Sequence, residues 1–231
     1  MKEQYTRSAE LFGEEAIERL NGAHVCVFGV GGVGSYTVEA LARGGVGKFT
    51  LVDGDRVALS NINRQLIATH STVGEEKVEV AKRRILDINP DAEVRVINAF
   101  VTPEMIEELG LSDVDYIVDA IDSVSTKLAL CEFAEKNRIR IISSMGTGNK
   151  IDPSRFRIAD ISKTSVCPLA RVMRVELRKR GINHLRVIFS DEMPHVASGE
   201  KKRVPASCSF VPSVAGLMLA GEVIRDIIGQ N

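Results

Sequence analysis

Four glycines, Gly29, Gly31, Gly32 and Gly34, precede three charged side chains spread along the chain, Arg64, Lys77 and Asp122. Together these residue types suit phosphate chemistry. Glycines let backbone N–H groups approach an anion closely. Arg and Lys neutralise phosphate oxygens, Arg in bidentate fashion. A single carboxylate suits a Mg²⁺ ion whose other ligands are phosphates. Gly29, Gly31 and Gly34 fit the G-x-G-x-x-G pattern, and Asp53 stands roughly twenty residues on, where an acid commonly bonds a ribose hydroxyl. A pyrophosphate alone needs few cations beyond the turn. Arg64, Gln65 and Lys77, with Asp122, fit a triphosphate and its metal better. The plainer alternative is a glycine turn that serves only tight packing.

Holding these residues together requires an α/β scaffold. Val25 to Phe28 is a continuous apolar run, as in a strand buried on both faces. A helical run from Tyr36 to Arg43 follows the glycines and stops at Gly44-Gly45. Phe49 to Val52 is a second strand ending at Asp53. Val73 to Asn89 reads as a helix bearing Lys77 and stopped by Pro90, and Val94 to Ile97 as a third strand. Thr102 to Leu109 reads as a helix with Thr102 as cap and Pro103 in its first position. Tyr116 to Ile121 is a fourth strand, with Asp119 inside it and without a role, and Asp122 just past its end. The helix Val124 to Asn137 and a fifth strand, Ile139 to Ser143, lead to Gly146-Thr147-Gly148.

Such alternation predicts a doubly wound, mainly parallel, Rossmann-like α/β sheet. Ligands of such sheets lie outside the carboxyl ends of the strands. One crevice then collects Gly29, Asp53 and Asp122. Ahead of the sheet, Ser8 to Leu20 reads as one amphipathic helix with Leu11, Phe12, Ile17 and Leu20 on its apolar side. Behind it comes a strand-helix extension: strands Phe156 to Ile161 and Leu185 to Phe189 around a helix Leu169 to Arg180. A mobile loop, Pro194 to Ser207, and an apolar closing helix, Val214 to Ile228, packed on the sheet, complete the chain.

At 231 residues the chain suits a single domain over 1–231. The nucleotide-binding core is expected at about 20–150 and a substrate-binding part at about 151–231. The net charge of −1 excludes a global field for nucleic acid, so any such binding rests on local patches. No apolar run of spanning length and no signal peptide is evident, which predicts a cytoplasmic protein. Cys26, Cys131, Cys167 and Cys208 are scattered and form no C-x-x-C pair. That argues against a structural zinc and for free thiols. His24, His70, His184 and His195 share no metal spacing.

Four spaced motifs also carry a resemblance. They are Gly29-Val30-Gly31-Gly32-Val33-Gly34-Ser35, Asp53-Gly54-Asp55, Ser60-Asn61-Ile62-Asn63-Arg64-Gln65 with Lys77, and Asp122 followed by Ser123. Together they resemble the ThiF/MoeB/HesA family of adenylating enzymes related to ubiquitin-activating enzyme, over nearly the whole chain. The resemblance implies ATP and Mg²⁺ as cofactors. It implies that Gly32 contacts phosphates, Asp53 the ribose, Ser60, Asn61 and Arg64 the phosphates, Lys77 the α-phosphate region, and Asp122 the magnesium. Asp55 and Ser123 belong to the same nucleotide site by that likeness. Arg7 matches an arginine that reaches across a homodimer into the partner's site.

The sulfur-carrier branch of the family carries two C-x-x-C pairs, which are missing here. The stretches Asp160-Ile161-Ser162-Lys163-Thr164, Pro168-Leu169-Ala170 and Val187-Ile188-Phe189-Ser190 resemble instead a tRNA-modifying branch. That branch uses ATP to cyclise threonylcarbamoyladenosine beside the anticodon, through an acyl-adenylate. Activation of a ubiquitin-like sulfur carrier, with a sulfur-relay protein partner, and a nucleotide-binding scaffold without turnover are the alternatives.

Cys167 precedes Pro168 at a helix start. A thiol nucleophile and an ordinary half-buried cysteine are both open there. Arg171, Arg174 and Arg178 share one helix face. With Lys179, Arg180 and Lys201-Lys202-Arg203 they form either a grip on RNA phosphates or a solvated charged face.

Overall fold

The strand that ends at the glycine turn, β1 (His24–Phe28), has a parallel neighbour on each side and is buried along its whole length because its alternate side chains pack into separate cores, Val25 and Val27 in one and Cys26 and Phe28 in the other. The computed structural model describes residues 2–195 and 205–230. Within them, α1 (Thr6–Phe12) and α2 (Glu14–Gly22) lead into β1, followed by α3 (Gly34–Gly44), β2 (Lys48–Val52), α4 (Lys77–Ile88) and β3 (Glu93–Ile97). The chain then crosses to the other side of β1 as β4 (Tyr116–Asp119), α5 (Val124–Asn137) and β5 (Arg140–Ser144). It closes with β6 (Phe156–Asp160), α6 (Pro168–Lys179), β7 (Arg186–Ser190) and α7 (Val211–Ile228).

The seven strands run in the order β3-β2-β1-β4-β5-β7-β6. All neighbours are parallel except the last pair, where β6 runs antiparallel to β7. The expected doubly wound, mainly parallel sheet is therefore present, and β7 continues it directly from β5. The order reverses between β1 and β4, and the crevice of such a sheet opens at that switch point.

Several boundaries depart from the sequence reading. The single helix expected over Ser8 to Leu20 is two, because Gly13 takes φ 90 between α1 and α2. Ile17 and Leu20 are buried, but Leu11 is 74% exposed and belongs to no core face. The helix bearing Lys77 starts only at Lys77, after turns. Residues Pro103–Leu109 form a 3-10 helix, and the Thr102 side chain does not cap it. The fourth strand stops at Asp119 rather than Ile121.

The closing helix starts at Val211 and lies against α3 as much as against the sheet. A Cβ on Gly216 would stand 2.3 Å from the Val33 carbonyl oxygen, and one on Gly44 would stand 2.7 Å from Ile224 Cδ1. Thr37 Oγ1 donates to the Gly216 carbonyl across the same contact at 3.0 Å. Gly216 therefore sets how closely α7 approaches the start of α3. Gly216→Ala should cost roughly 3 kcal/mol, as overpacking against backbone does, and lower Tm by about 6–12 °C. Gly221→Ala, where a Cβ meets nothing within 4 Å, should hold or raise Tm. Thermal unfolding of the two variants checks the contrast; equal shifts would remove the claim.

Candidate active site

Gly29 and Gly34 are glycine for reasons internal to the protein. Gly29 has φ 86, and a Cβ on it would meet the Ala120 carbonyl oxygen at 2.7 Å. A Cβ on Gly34 would lie 1.8 Å from the Gly29 oxygen. Gly31 differs: its nearest neighbour would be Gln65 Nε2 at 3.7 Å, an ordinary contact. Among the described residues, the amides of Gly31, Gly32 and Val33 have no acceptor. These unpaired donors, just ahead of α3, form a nest of the kind that suits an anion.

Asp53, at the end of β2, anchors that nest. Its Oδ2 accepts from Val30 N at 2.7 Å, and its Oδ1 accepts from Asp55 N at 2.8 Å. Each oxygen keeps a second lone pair for a ribose hydroxyl. Ser35, buried at the start of α3, accepts from Leu66 N at 3.1 Å and so ties the Arg64–Gln65 loop to the glycines. Arg64 Cγ lies 3.5 Å from the Cβ position of Gly32. Its guanidinium donates to Ser60 O and Asn63 Oδ1, which are neutral, so no described carboxylate cancels its charge. Lys77, the first residue of α4, is buried, and its Nζ sits 2.7 Å from Asp55 Oδ2.

A crevice of about 940 Å³ brings these groups together. Gly29, Gly31, Gly32, Asp53, Asp55, Asn61, Arg64, Lys77, Asp122 and Ser123 all line it. Gly34, Ser60 and Arg7 do not. Gly34 lies behind the turn, and Ser60 contributes its carbonyl to Arg64. Asn61 spends its Oδ1 on Ala58 N at 3.0 Å. Arg7 is exposed on α1. It follows Tyr5, which packs on Gly45 just before β2, while Lys2 pairs with Asp91 just before β3. That segment is therefore at the amino ends of the strands, opposite the crevice.

Asp122 is exposed on the loop after β4, across from the glycines, and its carboxylate has no partner among the described residues. Ser123 caps α5, its Oγ accepting from Thr126 N. No group of three or more His, Cys, Asp or Glu side chains among the described residues could hold a metal alone. A Mg²⁺ held by one carboxylate and by phosphate oxygens fits this donor set.

The sequence reading missed the group beneath this loop. Asp119 and Lys127 are fully buried and paired at 2.8 Å. Lys127 Nζ also donates to Ser143 Oγ at 3.1 Å and to Ser144 O at 2.8 Å. This ties the ends of β4 and β5 together below the crevice walls. The only sequence signal was a lysine in the first turn of the helix that follows a strand-end acid. Phe100, 73% exposed on the loop after β3, lines the crevice without any sequence signal.

Other expectations resolve simply. Cys167 is buried beside Gly146, without the access a nucleophile needs. Cys26 is core, and burial pushes its thiol pKa up. His24 bonds Thr50 and Asp113, His184 bonds Asp160, and His195 bonds Glu192. Arg174 turns inward to Thr164, donating to its carbonyl at 3.1 Å. Lys179 and Arg180 pair with Glu176. Of that helix face only Arg171 and Arg178 are left exposed and without partners among the described residues. The run Lys201-Lys202-Arg203 lies outside the described residues. The described end of the loop expected over Pro194 to Ser207 is tied down: Ala206 N donates to Asn149 Oδ1 at 2.8 Å, and Asn63 Nδ2 to Ser207 O at 3.1 Å.

The ThiF family matches residues 5–231. A Bacillus subtilis (strain 168) protein named tRNA threonylcarbamoyladenosine dehydratase is 46% identical over 243 residues, covering 99% of this chain and 96% of the relative. The crystal structure of E. coli tRNA N6-threonylcarbamoyladenosine dehydratase in complex with ATP superposes with a TM-score of 0.91 at 34% identity. That match covers 98% of this chain and 94% of the other. The AMP complex of the same E. coli protein matches equally.

Proposed function

Because this chain belongs to the ThiF family, we propose that it is an ATP-dependent tRNA threonylcarbamoyladenosine dehydratase. It closes the threonylcarbamoyl side chain into a ring, with net loss of one water, through an acyl-adenylate. One observation carries the reading. A single crevice holds an anion nest, an uncancelled Arg64, Lys77 and an unpartnered Asp122, in a chain similar end to end to a dehydratase.

The residues divide the work as follows. The amides of Gly31, Gly32 and Val33 and the Arg64 guanidinium hold the phosphates of ATP, Asp53 holds the ribose, and Lys77 faces the α-phosphate with Asp55 orienting it. The substrate's threonyl carboxylate attacks the α-phosphorus and pyrophosphate leaves. Arg64 and Lys77 neutralise charge gathering on the phosphate oxygens. A nitrogen of the same substrate then attacks the activated carbonyl; its proton goes to solvent, and the former carboxylate oxygen leaves on AMP. No enzyme nucleophile is needed, because the attacking nitrogen is tethered in place. Asp122 would hold Mg²⁺, which supplies further charge neutralisation when bound. Ser60, Asn61 and Ser123 shape the loops around the nucleotide.

Residues of about 20–150 act as the nucleotide-binding part and about 151–231 as the part facing tRNA. Two chains form a homodimer in which Arg7 serves the partner's site. No described helix is long and apolar enough to cross a membrane, and a cytoplasmic location suits the proposed tRNA-modifying role.

Mass analysis of tRNA nucleosides after incubation with the protein and ATP tests the function. Threonylcarbamoyladenosine should lose one water, with pyrophosphate released and no carrier protein added. An unchanged nucleoside mass would end the reading. For tRNA binding, replacing Arg171 and Arg178 with Ala should lower the slope of log affinity against log salt by roughly 0.7–0.9 per lost phosphate contact. ATP affinity should stay the same. An unchanged slope would make both arginines a solvated face.

A further inference from the structure

A second hollow, of about 560 Å³, lies beside the crevice at the start of α6. That is the size of a small-ligand site. Val166, Pro168 and Val172 make an apolar wall, Arg171 and Arg174 line it as well, and no carboxylate of the described residues does. The two hollows are neighbours. Leu169 lines the crevice, and Cys167 Sγ and Leu169 Cβ each stand 4.0 Å from the Cβ position of Gly146, another crevice residue.

The apolar wall is strained. Val166 has φ 63, a left-handed backbone that a β-branched residue rarely adopts. Cys167 N donates to Ser165 O at 2.6 Å and closes a three-residue turn around it. Arg174 fixes the segment, donating to Thr164 O at 3.1 Å and to Thr164 Oγ1 at 2.5 Å. Thr164 Oγ1 in turn donates to Ile161 O at 2.7 Å. Burial does not offset the strain, because Val166 is 44% exposed and Val172 45%. Strained residues of this kind cluster where a ligand is clamped.

Charge and polarity narrow the occupant. Arginines without an acid repel cations. The apolar wall offers nothing to a bare phosphate. An anion that carries a flat ring satisfies both, and a nucleotide of single-stranded RNA is such a unit. Arg174 is engaged with Thr164, whereas Arg171 is exposed and has no partner among the described residues, so its charge is available to a phosphate. We propose that this hollow binds a nucleotide next to the modified adenosine of tRNA, its base packed on Val166 and Val172 and its phosphate on Arg171. The inference rests on the tRNA reading above and deepens it: the crevice takes the reacting adenosine, and the hollow takes its neighbour.

The test measures binding of the full chain, with ATP present, to whole tRNA bearing threonylcarbamoyladenosine. The same tRNA is also made abasic at the nucleotide on either side. Wild type should bind one of the two abasic tRNAs at least about fivefold more weakly, the low end for a stacked base. Val172→Ser should bind intact tRNA more weakly by a similar factor. The abasic change at that position should then cost it little more, as expected of two groups in contact. Val166→Gly should also weaken tRNA binding, while its Tm holds or rises because glycine relieves the left-handed strain. ATP affinity should stay the same in both variants. Val175→Ser, at an exposed valine of α6 outside the hollow, should bind tRNA as wild type does.

The inference falls if wild type binds neither abasic tRNA more weakly, or if the abasic loss in Val172→Ser equals that in wild type. It falls as well if Val175→Ser loses as much as Val172→Ser, or if Val166→Gly melts lower, which would make Val166 a packing residue. A smaller oligomer for Val172→Ser would assign the wall to a contact between copies of this chain and overturn it too. Failure of the proposed function reads differently. Wild type that binds tRNA in this base-dependent way yet leaves the nucleoside unchanged would sink the function and keep the hollow as an RNA site. Wild type that modifies tRNA but is indifferent to both neighbouring bases would do the reverse. Wild type that does not bind tRNA would sink both.

Discussion

Asp122→Asn should turn over tRNA at least about a hundredfold more slowly than wild type, the scale of losing a key electrostatic group. The three acids lining the crevice are not equivalent. Asp53 is committed to Val30 N and Asp55 N, and Asp55 is paired with Lys77. Asp122 alone of these has no partner among the described residues, so its charge is available to a hard cation on the phosphates. Asparagine keeps its size and position and removes the charge. The fold should not register the change, because Asp122 is exposed and the loop is held from below by Asp119 and Lys127. Tm should therefore stay the same while turnover collapses. Near-normal turnover at ordinary magnesium would remove Asp122 from the mechanism.

Arg7→Ala should be inactive or nearly so, and the loss should be recoverable by mixing. Arg7 is at the amino ends of the strands, and a five-residue strand is roughly 17 Å long, so it does not reach its own crevice. In the homodimer proposed above, its role is to serve the partner chain's site, as an arginine finger supplied in trans does. Consider Arg7→Ala mixed in equal amounts with Asp122→Asn, each inactive alone. In a heterodimer, the chain carrying Arg7→Ala keeps its own Asp122 and receives Arg7 from its partner, so that site is whole. The other site lacks both groups. Random exchange makes half the dimers mixed, with half of their sites whole, so activity should return to roughly a quarter of wild type. No recovery, with subunit exchange demonstrated by a mass-tagged chain, would place Arg7 in its own chain's service or in none.

These two predictions draw on different kinds of information. Asp122 was legible as a carboxylate in a strand-to-helix loop, although the strand ends two residues earlier than the pattern implied. Ile121 is as apolar as the residues before it, but Asp119 is pulled inward by Lys127 and Ser143, and the ladder stops there. Arg7 was legible only through family likeness. Its distance from the crevice follows from how the N-terminal helices pack beside Gly45.

The amino-acid sequence by itself determined the sheet and the glycine nest. Buried parallel strands must be continuously apolar, and a turn with positive φ at Gly29 admits little but glycine. Both are local constraints, written in adjacent residues. Tertiary structure alone decided which charges stay available. Lys77 is oriented into the crevice by its pair with Asp55, Arg174 turns to Thr164, and Lys127 is buried against Asp119. Arg64 and Asp122 keep theirs. A charge is cancelled by whichever groups folding brings within a few ångströms, and those groups are set by the packing of distant elements. The same packing sets the Gln65 amide nitrogen 3.7 Å from the Cβ position of Gly31, a distance fixed by how the loop folds back on the turn.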